Sequence, residues 1–118
     1  MSMEKAYICC PPDLVDDCQR LMADDFFKAF IDESRLKAFL ILMERGELTV
    51  NEVAGRMDIS QSNVSRHLSF LKKAGVTLSR KNGRETYYRV NYENLAGRLR
   101  SILSIIRECC PPGKEKTQ

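Results

Sequence analysis

Cys9-Cys10-Pro11-Pro12 and Cys109-Cys110-Pro111-Pro112 place the same tetrapeptide near both ends of a 118-residue chain. Adjacent thiols are soft donors, and a site built only from thiolates selects soft, thiophilic ions. Trivalent arsenic or antimony takes three thiolates in a pyramid, whereas zinc or cadmium takes four in a tetrahedron. Structural zinc usually prefers cysteines two residues apart, not adjacent ones. The same thiols could instead act as a redox switch or do nothing. Cys18 makes the cysteine count odd, so the five cannot all pair within one chain. The only histidine is His67 and there is no tryptophan, so a histidine-rich metal site or a Ser-His-Asp triad has almost nothing to draw on. A thiol oxidoreductase would need a base or a cofactor pocket, and a nucleotide-dependent enzyme a glycine-rich phosphate loop. None is visible, and the chain is not read as an enzyme.

A second chemistry lies in the charge distribution. The net charge is only +3, but residues 61–90 hold Arg66, Lys72, Lys73, Arg80, Lys81, Arg84 and Arg89 against Glu85 alone. Residues 1–31 are net acidic. A basic block in a nearly neutral protein is an electrostatic footprint for a polyanion. Its charges alternate with apolar positions that must be buried, so it belongs to folded structure and not to a tail.

The elements that position these residues follow from periodicity. Pro11 and Pro12 open a first helix, and Leu14, Val15, Cys18, Leu21, Met22, Phe26, Ala29 and Phe30 carry it at helical spacing over about 12–30. Asp32 caps a second helix whose buried side is Leu36, Phe39, Leu40 and Met43, and Gly46 ends it. Thr49-Val50-Asn51-Glu52 is a capping box that starts a short third helix ending near Met57. Ser60 caps a fourth, Gln61 to Ala74, with Val64, Leu68 and Leu71 inward and Gly75 at its close. The period then changes to that of strands, Thr77–Lys81 and Arg84–Val90, with Asn82-Gly83 as the hairpin turn. A last helix spans Tyr92–Cys109. Its apolar face of Leu95, Leu99, Ile102, Leu103, Ile105 and Ile106 is broad for a helix that packs on one chain only.

A short helix, a three-residue turn and a second helix form a helix-turn-helix, and the basic hairpin after it makes the unit a winged helix. The expected fold is mostly α with a small β-hairpin wing. The second helix of such a unit enters the major groove with its N-terminal residues at base edges. Since Val64, Leu68 and Leu71 face inward, Gln61, Ser62, Ser65, Arg66 and Ser69 face out, with Asn63 at the margin. Gln can bond adenine, Arg can bond guanine, and Ser can serve bases or phosphates. Lys72 and Lys73 lie nearer phosphate, and Arg80, Lys81 and Arg84 flank the wing tip. Tyr87 and Tyr88 are packing residues of the hairpin, and His67 packs at the edge of the core.

Three segments carry a family resemblance. Residues 27–36, Phe-Lys-Ala-Phe-Ile-Asp-Glu-Ser-Arg-Leu, resemble the segment that opens the second helix of ArsR/SmtB-family repressors. Residues 60–75 are very similar to that family's recognition helix, and residues 80–89 to its wing. The resemblance spans about residues 26–106. It implies a homodimeric winged-helix repressor whose dimer interface is built by the first and last helices, which binds an inverted repeat in double-stranded operator DNA and is released when a metal or metalloid binds. Two family sites are missing here. Thr49-Val50-Asn51 stands where the metalloid motif reads Cys-Val-Cys, and no histidine lies in Tyr92–Cys109 for the zinc site. Glu33 also follows Asp32 where the family commonly has proline. The ligand candidates are therefore Cys9, Cys10, Cys109 and Cys110. Cys18 is second choice, because a free cysteine on an apolar stripe behaves as a small buried hydrophobe. Vicinal cysteines occur in arsenic-responsive relatives, so As(III) is the first expected inducer, with Sb(III) beside it and Cd or Zn behind. No resident cofactor is required.

One domain is expected over 1–118, with a flexible N-terminal arm, 1–11, and C-terminal tail, 111–118. No apolar run reaches the length of a membrane span, and the first ten residues lack the apolar core of a secretory signal. A cytoplasmic protein, without membrane partners, is the resulting expectation.

Overall fold

The computed structural model describes residues 11–109; the expected flexible tail and, apart from Pro11, the expected arm lie outside them. Six helices and three strands follow one another as α1 (Pro12–Met22), α2 (Asp25–Lys28), α3 (Glu33–Arg45), β1 (Glu47–Thr49), α4 (Val50–Met57), α5 (Gln61–Lys73), β2 (Thr77–Asn82), β3 (Glu85–Val90) and α6 (Tyr92–Cys109). The architecture is mostly helical with a small antiparallel sheet, the winged helix-turn-helix expected from the sequence.

The long first helix divides in two. Asp24 adopts an extended backbone, and its carboxylate accepts a hydrogen bond from the Phe26 amide, capping α2. An Asp at this position satisfies an otherwise orphaned amide better than continued helix would. The chain therefore turns between Met22 and Asp25, although apolar spacing runs straight through. Asp32 caps α3 as expected, through the Arg35 amide, and Gly46 ends it at φ +92°. The buried side of α3 is Ala38, Phe39 and Leu42. Leu36, Leu40 and Met43, expected inside with Phe39, stand exposed on the opposite side.

Thr49 and Glu52 complete the capping box of α4 in both directions, at 3.2 and 2.8 Å. Asp58 ends α4 in the left-handed conformation at φ 60°. Val53, Met57, Val64, Leu68, Leu71, Val76 and Val90 close a core with Phe26, Ala29, Phe39 and Leu42. Phe26, Phe30 and Phe39 stack edge to face through it, a favoured geometry for aromatic rings.

The wing is a sheet of three strands in the order β1-β3-β2. Its third strand, β1, is an addition to the expected hairpin and pairs Glu47–Thr49 with Arg89–Tyr87. The turn also lies one residue further on. Asn82 pairs with Glu85, so Gly83 and Arg84 are the two central residues, with Gly83 at φ 67°. A glycine at the first central position is the requirement of a type II′ turn. Asn82-Gly83 satisfies the expectation of a tight hairpin but not its register.

α1 and α6 form a layer beside this body. Leu14, Cys18 and Leu21 are half-buried on one side of α1, and α1 buries no residue completely. No helix among the described residues is long and apolar enough to cross a membrane.

Candidate nucleic-acid interface

The surface of α5 is fixed by its own burial pattern. Val64, Leu68 and Leu71 are fully sealed. Helical geometry then sends Gln61, Ser62, Ser65, Arg66 and Ser69 outward, and all five are exposed together with Asn63 and Lys72. Ser60 caps the helix through the Asn63 amide at 3.3 Å. The α5 N-terminus, with its partial positive charge, thus lies beside the hydroxyls of Ser60 and Ser62, which are 3.3 Å apart. The Arg66 guanidinium donates to the Asn63 side-chain oxygen one turn back, an arrangement that aims its fork along the exposed side. Lys72 and Lys73 occupy the last turn.

The basic side chains of the hairpin fall into two groups. Lys81 and Arg84, at and beside the turn, are exposed and make none of the side-chain ion pairs found among the described residues. Arg80 is also exposed, but its guanidinium is engaged. It donates to both carboxylate oxygens of Glu47 at 2.9 Å and lies over the Tyr87 ring at 4.7 Å. Arg89 approaches the same carboxylate at 4.0 Å. The two hydrogen bonds from Arg80 hold the Glu47 carboxyl below the usual carboxylate range and raise the Arg80 guanidinium above its ordinary value. Sequence reading gave Glu47 no role. It becomes visible only once β1 is known to lie beside β3. Tyr87 is half-buried and Tyr88 buried, as packing residues of the hairpin should be. His67 is half-buried at the margin of the core.

Two further links tie α5 to its surroundings. The Arg35 guanidinium sits 4.0 Å from the centre of the Phe70 ring and donates to the carbonyl of Ala29 at 3.1 Å. Asn94, in the first turn of α6, donates to the carbonyl of Gly75 at 2.8 Å.

Of the candidate thiols, Cys9, Cys10 and Cys110 lie outside the described residues, and Cys109 is described only as the last residue of α6. Cys18 is a free, half-buried thiol on α1, 3.6 Å from the Met22 sulfur. Among the described residues no group of three His, Cys, Asp or Glu side chains could hold a metal ion. An open cleft of about 820 Å³ runs between α1 and α6, lined by Asp17, Arg20 and Leu21 on one side and by Gly97, Arg100 and Ser104 on the other. Asp24, just beyond α1, forms an ion pair with Arg98, which also lies over the Phe26 ring. The Arg98 hydrogen bond, with that from the Phe26 amide, lowers the Asp24 pKa below its ordinary value. α1 runs toward that contact and α6 away from it, so the two helices lie antiparallel.

Comparison with known proteins is consistent across sequence and structure. The family model described as bacterial regulatory protein, arsR family, matches residues 32–76. The chain is 41% identical over 71 residues to the arsenical resistance operon repressor of Escherichia coli K12, covering 60% of this chain and 61% of that one. It therefore spans somewhat less than two thirds of that relative. It is 32% identical over 85 residues to the transcriptional repressor SdpR of Bacillus subtilis, covering 72% of this chain and 93% of that one. The solution structure of a homodimeric winged helix-turn-helix DNA-binding domain from Mycobacterium bovis, a possible ArsR-family transcriptional regulator, superposes with a TM-score of 0.56 at 27% identity. That match covers 92% of this chain and 88% of the other.

Proposed function

The chain belongs to the ArsR family of bacterial regulatory proteins, a family of DNA-binding transcriptional regulators and not of enzymes, and from that premise we propose that it is a cytoplasmic, homodimeric repressor released from its operator by a thiophilic ion. The observation that carries the DNA-binding half is the two-sided α5. One side is sealed by Val64, Leu68 and Leu71 while the other offers Gln61, Ser62, Ser65, Arg66 and Ser69 without interruption. Those side chains read base edges, and Lys72, Lys81 and Arg84 meet phosphates. Arg80 contributes chiefly by holding the wing to Glu47, with the phosphate backbone as its second partner.

Dimerisation uses α1 and α6. Leu99, Leu103 and Ile106 form an apolar stripe on α6 and remain about half exposed, as do Val15 and Met22 on α1. A second copy covers that stripe and sets two recognition helices about one turn of DNA apart on an inverted repeat.

The inducer is trivalent arsenic or antimony, with cadmium or zinc as weaker competitors. The donors are Cys9, Cys10, Cys109 and Cys110, with Cys18 in reserve. The antiparallel packing of α1 against α6 supports this choice. The Asp24–Arg98 contact lies just past the C-terminal end of α1, so Pro12, the first residue of α1, and Cys109, the last of α6, fall toward the same end of the helix pair, and the cysteine pairs adjoin those two residues in sequence. Thiolates there suit a soft ion, and an ion held by both helices would skew the layer on which the dimer rests. A coupling of about 1–3 kcal/mol, roughly 5–150-fold in affinity, suffices for release.

A gel shift on the DNA upstream of its own operon, with and without arsenite, tests the reading. Arsenite should abolish the shift for the native chain, and Cys109→Ser with Cys110→Ser should keep the shift and lose the response. No shift under any condition removes the repressor. A shift indifferent to arsenite but sensitive to peroxide assigns the thiols to redox, and one indifferent to both leaves a DNA-binding protein with inert cysteines.

A further inference from the structure

The C-terminal end of α5 is not a free helix end. Gly75, at φ 86°, donates to the Lys72 carbonyl and the following Val76 amide donates to Leu71. Together they form a Schellman turn, the glycine-dependent helix stop. Gly75 leaves its own carbonyl outward, and Asn94 Nδ2 fills that place at 2.8 Å. The fit is close enough that a Cβ built on Gly75 would lie 2.7 Å from Asn94 Nδ2. Asn94 is itself held, because its amide donates to the Asn91 side chain at 3.2 Å while the Asn91 amide donates to Val76 at 2.8 Å. Four residues further on, and therefore on the same side of α6, Arg98 pairs with Asp24 and lies over Phe26. Beside the Asn91 backbone bond and Leu95 in the core, two polar side-chain contacts one turn apart thus fasten α6 to the body, and only the first of them reaches the stop of α5.

We propose that Asn94 is a positioning residue for DNA reading, the fastener through which α6 sets the angle at which α5 is presented to the groove. The physical argument is leverage. Beyond Arg98, α6 has α1 as its neighbour and carries the half-exposed Leu99, Leu103 and Ile106, so a tilt of this distal part turns about the Asn94 and Arg98 contacts. A rigid side-chain amide seated in the stop of α5 transmits that tilt directly to the helix. Arg98 transmits it only to α2. Without the Asn94 amide, α6 and α5 remain joined by the Asn91–Val76 backbone bond and by Leu95 against the core. The body then folds, but the angle of α5 is less sharply defined.

This rests on the DNA-reading role proposed for α5, and two readouts keep the two ideas apart. Asn94→Ala, with Asn94→Ser as a second variant that retains polarity but cannot reach Gly75, is compared with the native chain. Amide hydrogen exchange is followed at Gly75 and Val76. Affinity is measured for a duplex selected by the native chain from a random library and for an unselected duplex. The expected result is exchange at Gly75 and Val76 faster by roughly tenfold, the equivalent of one net hydrogen bond, with the amides of α4 unchanged. Affinity for the selected duplex should fall by a similar factor while the unselected duplex is bound as before. A merely structural role predicts exchange rising throughout the chain and both affinities falling together, and that result overturns the proposal, as does unchanged exchange at Gly75 and Val76. If the native chain selects no duplex at all, the DNA-reading role fails, and exchange alone then judges the fastening of α5 to α6.

Discussion

Val53, Val64, Leu68, Leu71 and Val76 are sealed within one chain, whereas α1 buries no residue and Leu99, Leu103 and Ile106 stand half open on α6. The body from α2 to β3 completes its own core. The α1–α6 layer has one apolar side against its neighbour and, among the described residues, another that stays about half exposed. A chain of this length leaves apolar surface poorly covered when it folds alone; here Val15 and Met22 of α1 and Leu99, Leu103 and Ile106 of α6 stay about half exposed, and Ile31, Leu36, Leu40 and Met43 stay exposed on the body. The body, with the proposed reading surface on α5, is closed by its own packing, and the α1–α6 layer, which the cysteine pairs adjoin in sequence, buries less and is the more easily deformed. Under the proposed function, an ion bound beside this layer would strain it and leave the core behind α5, Val64, Leu68 and Leu71, intact.

Leu68→Ala should give the largest effect and sharpens the contrast most. Removing a sealed side chain costs about 2–5 kcal/mol in unfolding free energy, measurable by urea titration. Leu103→Ala in the layer should barely alter the unfolding of dilute protein, yet should raise the dissociation constant of the dimer in sedimentation. Equal destabilisation by the two would erase the distinction between regions. Next in size, Arg66→Ala should cost about 1–3 kcal/mol of discrimination between cognate and altered operators, measured by competition binding. An unchanged preference would move the reading surface elsewhere.

A smaller difference separates two arginines of the wing. Arg84→Ala should lower the salt dependence of DNA binding by about one phosphate contact. Arg80→Ala should change it less, because its guanidinium already spans the Glu47 carboxylate. If Arg80→Ala gives the steeper change, the Glu47 pair opens on DNA. The smallest effect concerns acid. The Asp24 pKa is lowered in the folded chain, chiefly by Arg98, so its contribution to stability is present above the ordinary Asp pKa of about 4. It is lost as pH falls through the lowered value. Asp24→Asn should flatten the acid limb of the unfolding curve, and an unchanged limb would show that the Arg98 pair does not stabilise the fold.

Much of the body was legible from residue types. The Thr49–Glu52 box, the Asp32 and Ser60 caps and the Val64, Leu68, Leu71 stripe are local devices, and local devices survive folding. What escaped was decided by tertiary partners. Apolar spacing continued through Asp24 because Met22, Phe26 and Phe30 keep helical intervals even though they sit on two helices. Glu47–Thr49 is too short to announce a strand without β3 beside it, so Glu47 was missed as the anchor of Arg80. The hairpin slipped by one residue because Gly83 can serve either as the second residue of one tight turn or as the first of another. On α3, Leu36, Leu40 and Met43 have the same apolar character as Leu42, and only the position of α5 and the sheet decides which side is covered. For the interface, all nine polar and basic positions expected to face DNA are exposed, but residue type alone carries no sign that Arg80 is engaged by Glu47, 33 residues away in the chain.

The placement of β1 has a mechanical consequence. Because Glu47–Thr49 is woven against Arg89–Tyr87, the root of the hairpin is clamped on both flanks of its middle strand, and only the few residues around Gly83 project beyond the weave. The tip itself is held by the β2–β3 pairs Lys81–Thr86 and Asn82–Glu85. Under the proposed function it would form one jaw of a caliper whose other jaw is α5, so that groove shape as well as base identity would sort the duplexes that fit.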